Sequence, residues 1–126
     1  AKVERKGNQV HVYMTAIRSH LTPDNIEGVK LGDDVYFHVT NLEQDWDVPH
    51  GFAIKGASTA EILVMPGETQ TLKWKPLTVG VFPFYCTDFC SALHQEMQGY
   101  VSPAGSNVPL KFSTGKIEDQ STGAGQ

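Results

Sequence analysis

Two stretches of the chain alternate apolar and polar side chains with a period of two. In the first, Val10, Val12 and Met14 interleave with His11, Tyr13 and Thr15. In the second, Val35, Phe37 and Val39 interleave with Tyr36, His38 and Thr40, directly after the turn residues Gly32-Asp33-Asp34. Successive side chains of a strand point to opposite faces, so each stretch predicts a strand with one buried and one polar face. Shorter apolar runs over 52–54, 60–64, 69–74 and 81–85 predict further strands, and Tyr100-Val101 after Gly99 marks a last one. Pro66-Gly67 and Thr78-Val79-Gly80 supply turns between them. Helical periodicity is scarce: only 91–98, where His94 and Met97 are three apart, predicts a helical turn.

Many short strands at this spacing predict an all-β fold, an antiparallel sandwich or barrel. From Ser113 onward Thr, Gly, Ser, Gln and acidic residues dominate. We therefore expect one folded domain over residues 1–112 and a disordered tail over 113–126. The length of 126 residues suits a single core. A net charge of -4 lacks the basic footprint of a nucleic-acid binder and leaves open either a basic protein partner or none. No apolar run approaches the roughly 18 to 20 residues that cross a membrane as a helix. Ala1-Lys-Val-Glu-Arg-Lys-Gly7 has no apolar core of a signal peptide, so we expect a signal already removed or an excised domain.

The chemistry concentrates in one place. Cys86-Thr-Asp-Phe-Cys-Ser-Ala-Leu-His-Gln-Glu-Met97 holds both cysteines of the chain, an imidazole and a thioether. Soft sulfur donors beside an imidazole select copper over magnesium, calcium or manganese. A disulfide between Cys86 and Cys90 would close a very short loop for little entropic gain, and would not explain His94 and Met97. Structural zinc prefers four Cys or His ligands, and a thioether serves it poorly. A mononuclear copper site could use Cys90, His94 and Met97 with an upstream histidine, leaving Cys86 idle. Two thiolates bridging two copper ions use every donor, so the second cysteine favours a binuclear centre.

That centre needs a histidine from elsewhere. His11 and His38 stand opposite the predicted apolar faces, where a solvated or hydrogen-bonded role accounts for them, and His20 lies in a predicted loop without a ligand pattern. His50 sits at the mouth of a strand, between Asp47-Val48-Pro49 and Gly51-Phe52, where a rigid β scaffold presents functional residues. Position alone leaves that choice open. Asp45 or Asp47 is the candidate to orient its second ring nitrogen. Trp46 is a candidate docking surface and Trp74 a core residue, while Met14 and Met65 are assigned to packing. Phe84, Tyr85 and Phe89 read either as a dry wall beside the metal or as ordinary core.

The segment from Cys86 to Tyr100 resembles the metal loop of the CuA cupredoxin domains of nitrous-oxide reductase and haem-copper oxidase subunit II. Thr40-Asn41-Leu42-Glu43-Gln44, His50-Gly51-Phe52 and Phe89-Cys-Ser-Ala-Leu-His-Gln-Glu-Met97 resemble the reductase version in particular. The resemblance covers roughly residues 9–103 and implies an all-β fold, the antiparallel Greek-key β-sandwich of a cupredoxin. It implies two copper ions bridged by Cys86 and Cys90, one completed by His50 and Met97, the other by His94 and the backbone carbonyl of Asp88. Asp88 departs from the Trp or Glu familiar at that position, which a carbonyl ligand tolerates. The resemblance further implies a periplasmic electron-transfer module rather than an enzyme in its own right. Its donor would be a c-type cytochrome or small cupredoxin, and its acceptor a catalytic copper-sulfide propeller domain. An oxidase subunit II domain and a copper carrier remain the alternatives.

Overall fold

Both alternating stretches are strands, and they lie side by side. The computed structural model describes residues 2–17, 20–44, 49–56, 61–87, 98–105 and 108–114. Its strands are β1 (Lys2–Lys6), β2 (Gln9–Ile17), β3 (His20–Thr22), β4 (Asn25–Lys30), β5 (Asp34–Asn41) and β6 (His50–Ile54). Five more follow: β7 (Ile62–Val64), β8 (Thr69–Trp74), β9 (Phe82–Cys86), β10 (Gln98–Ala104) and β11 (Lys111–Ser113). No helix occurs among the described residues, so none there is long and apolar enough to cross a membrane. The helical turn expected over 91–98 falls, but for Gln98, outside those residues, as do most of the tail and the position of Trp46.

The strands form two sheets. One runs β1-β2-β5-β8 with β3 on the side of β2, and the other runs β11-β4-β10-β9-β6-β7. The sandwich is as expected, but its sheets are mixed: β2 pairs β5 in parallel, and β10 pairs β4 in parallel. These parallel pairs join segments that are not hairpin neighbours, which a local pattern of alternation does not reveal.

The inward faces meet in one core. Val10, Val12, Met14, Val35, Phe37 and Val39 are all at most 1% exposed, so the period of two marked the buried face correctly. Opposite them stand Phe52 and Phe84, with ring centroids 5.4 and 5.9 Å from Phe37 and 5.6 Å from each other, tilted as aromatic rings prefer. Trp74 closes the cluster at 6.4 Å from Phe37. Phe84 is thus core, while Met65, expected to pack, is 38% exposed.

Candidate metal centre

The rigid part of the site sits where β6 begins and β9 ends. The two strands are antiparallel neighbours with Phe52 opposite Cys86, and a bond from the Thr87 amide to the Gly51 carbonyl carries the pairing one step further. His50, Phe52 and Ile54 alternate inward from β6, as Phe84 and Cys86 do from β9. The register therefore aims the His50 ring and the Cys86 sulfur into the same end of the sandwich. His50 is 2% exposed and Cys86 4%. His50 Nδ1 and Cys86 Sγ are 3.7 Å apart.

The other ring nitrogen is taken. His50 Nε2 lies 2.9 Å from Glu43 Oε2, with both side chains at most 5% exposed. An ionised carboxylate only accepts hydrogen bonds, so Nε2 is the donor towards it, which in the neutral ring leaves Nδ1 its lone pair. That lone pair faces Cys86. The carboxylate–imidazole–metal order is the usual way a protein fixes a histidine ligand's tautomer and ring direction. Glu43 is the orienting residue that sequence reasoning missed. Attention fell on Asp45 and Asp47 because they are nearer in sequence, and both lie outside the described residues. The one available signal was Glu43's place in the Thr40–Gln44 resemblance.

Glu43 is held in turn. Its amide donates to Asn41 Oδ1 at 2.8 Å, an Asx turn that closes the end of β5. Asn41 Nδ2 donates to the Val64 carbonyl at 2.9 Å, and Val64 is the ladder partner of His50.

The residues present fit a soft metal. A separation of 3.7 Å between Nδ1 and Sγ is one an ion can bridge, since bonds of about 2.0 Å to imidazole and about 2.3 Å to thiolate together exceed it. The donors are an imidazole and a sulfur in a dry recess, the set that copper favours. Cys86 is disulfide-bonded in the structure, the oxidised alternative for the two cysteines, so a metal reading applies to the reduced chain. Asp88, Cys90, His94 and Met97 lie outside the described residues. Of the six expected ligands, the described residues thus bring His50 and Cys86 together. His20 is exposed on β3, and His11 and His38 stand on the outer face of β2 and β5, away from this end.

The chain is similar to several known copper proteins. No family model matches the chain. Nitrous-oxide reductase from Stutzerimonas stutzeri is 37% identical over 105 residues, covering 82% of this chain and 16% of that protein. Cytochrome c oxidase subunit 2 from Thermus thermophilus is 32% identical over 101 residues, covering 80% of this chain and 70% of that protein. The chain belongs to the CuA cupredoxin domains. Its fold is shared by the periplasmic domain of subunit II of cytochrome oxidase from Bradyrhizobium japonicum, with a TM-score of 0.59 at 15% identity over 76% of this chain and 84% of that one. CuA cupredoxin domains are copper electron-transfer domains, and this one spans about a sixth of the length of the reductases it matches.

Proposed function

We propose that this CuA domain holds a binuclear copper centre and relays single electrons from a soluble periplasmic donor to the catalytic copper site of a nitrous-oxide reductase. The observation that carries the reading is the buried order Glu43–His50–Cys86, with the free imidazole nitrogen turned to the sulfur. Reduced Cys86 and Cys90 would bridge the ions, with His50 and Met97 on one, and His94 and the Asp88 carbonyl on the other. When bound, such a centre would supply one-electron chemistry, with the unpaired electron shared between its ions and little change in the surrounding bonds on gain or loss of an electron. The chain's own part is to keep its ligands still and dry. β6 and β9 fix the His50 and Cys86 backbones, Glu43 fixes the imidazole tautomer, and the Phe37, Phe52 and Phe84 cluster backs the site away from water.

The donor is a c-type cytochrome or small cupredoxin, and the acceptor is the copper-sulfide propeller of the parent enzyme. Identity to nitrous-oxide reductase exceeds that to oxidase subunit 2, 37% against 32%, which favours the reductase as parent. The domain alone is not expected to reduce nitrous oxide.

Reconstitution tests this. The chain is reduced, loaded with copper and followed by visible absorption and EPR. A purple species with a seven-line hyperfine pattern from one electron shared by two coppers supports the reading. A colourless product, EPR-silent even after mild oxidation, would instead show a carrier of Cu(I). Cys86→Ser is expected to abolish the mixed-valence spectrum and leave at most a mononuclear site. His50→Ala should perturb the copper spectrum far more than His20→Ala or His38→Ala, and equal effects would mean that another histidine binds.

A further inference from the structure

Asn41 ends β5 with its side chain fully buried, at a point where three segments meet. Its backbone amide donates to the Glu68 carbonyl at 3.0 Å, and its carbonyl accepts from the Gly67 amide at 2.8 Å, which ties it to the turn before β8. The side-chain amide divides its two ends. Oδ1 accepts the Glu43 amide at 2.8 Å, while Nδ2 donates to the Val64 carbonyl at 2.9 Å. Val64 pairs with His50 in the β6–β7 ladder. The Glu43 carboxylate and the His50 ring are therefore both referenced to one side chain, although each belongs to a different segment.

We infer that Asn41 is a positioning residue for the metal centre: it sets the Glu43–His50 contact and, through it, the direction of the His50 Nδ1 lone pair. This rests on the copper reading for its function, though not for its geometry. The role needs a short side chain with one donor and one acceptor on opposite sides of a planar group. Asp has the shape but no donor. Gln has both groups one methylene too far out for the turn. A buried carbonyl or amide left without its partner would cost about 1–3 kcal/mol, so the segment would shift to recover one, and Glu43 rides on that segment.

Asn41→Asp separates the two arms, because it keeps the acceptor for the Glu43 amide and removes the donor to Val64. Ring proton and nitrogen NMR on the reduced, metal-free chain reads the result. The wild type is expected to show one His50 tautomer, protonated and exchange-protected at Nε2. The variant is expected to show mixed tautomers and fast exchange of that proton, and its copper is expected to dissociate about 10–100-fold faster, as when a group behind a metal ligand is lost. Val39→Ala, a core change on the same strand, controls for general loosening. Where Asn41→Asp does not fold, Asn41→Ser serves, since its hydroxyl can still accept from the amide two residues on but cannot reach Val64. Wild-type His50 signals in the folded variant, or equal changes in Val39→Ala, would overturn the assignment of Asn41. If the wild type takes up no copper while the NMR effect stands, the copper reading fails and the positioning role survives.

Discussion

At the scale of single residues, the two outward histidines show how much one face of a strand can hide. His11 Nδ1 and His38 Nε2 are 2.8 Å apart with nearly coplanar rings, and His38 Nδ1 lies 2.8 Å from Thr71 Oγ1. Tyr13 stacks on His38 at 4.9 Å and Tyr36 on His11 at 4.8 Å. Their place on the polar face, and a hydrogen-bonded role, were legible from alternation alone. Their contact with each other was not, because it depends on β2 and β5 pairing in parallel. Burial, and then the neighbouring His11, hold the His38 imidazole below its ordinary value of 6.5. The unfolded chain therefore binds this proton more readily than the folded one, and acid favours unfolding. The stability it contributes is complete above about pH 6.5 and is lost as pH falls through the lower folded value. Thermal melts from pH 7.5 to 5 should show the midpoint falling, with a shallower fall in His38→Gln. An identical pH profile in the two proteins would remove His38 as the cause.

At the scale of elements, what decided legibility was whether a strand carries its own pattern. β2, β5 and β8 could be read from alternation or apolar content, with β8 at its observed bounds of Thr69–Trp74. β1 could not: four of the five residues of Lys2–Lys6 are charged, and the segment becomes a strand because it pairs with Gln9–Tyr13 of β2. β4 was missed because Gly28 interrupts it, at φ +93 and pressed against the backbone of Pro109. The metal site divides in the same way. Cys86 and the donors proposed beside it stand out by spacing, whereas Glu43 reaches His50 across segments that Asn41 helps to tie together, from the end of β5 to the Val64 carbonyl of β7. β10 supplies a local test. A Cβ on Gly99 would overlap the Asp24 carbonyl and stand 2.6 Å from the Phe84 ring. Gly99→Ala is expected to cost about 1–3 kcal/mol of stability in a denaturant titration, the usual range for overpacking. A loss within error would mean that β10 can move aside freely.

At the scale of the whole molecule, a charged clamp ties β1, the edge strand of one sheet, to β4 in the other. Arg5 on β1 grips Asp33 through two bonds of 3.1 and 2.9 Å and also donates to the Gly28 carbonyl on β4 in the opposite sheet. Asp33 is 4% exposed and also accepts the Lys30 amide at 2.8 Å. Removing the guanidinium strands a buried carboxylate, so Arg5→Ala should lower stability by about 3 kcal/mol, the low end for breaking a buried pair. Arg5→Lys keeps the charge but not the two-pronged grip, and should recover only part of it. Chemical unfolding of both variants checks this. Full recovery by lysine would mean that charge alone matters.

The strand order of the second sheet also has a consequence in time. β4, which begins at Asn25, is seated between β10 (Gln98–Ala104) and β11 (Lys111–Ser113), so neither of its neighbours has begun until the chain reaches residue 98, and the second is complete only at 113. Pairings across such distances form slowly, because a long loop must close before any contact rewards it. β10 also pairs with β9, the strand that presents Cys86. Cys86 is thus made before β10 can close over β9. We expect the redox state of its surroundings during folding to decide whether Cys86 enters the disulfide or stays a reduced thiol, the form that the proposed copper centre requires.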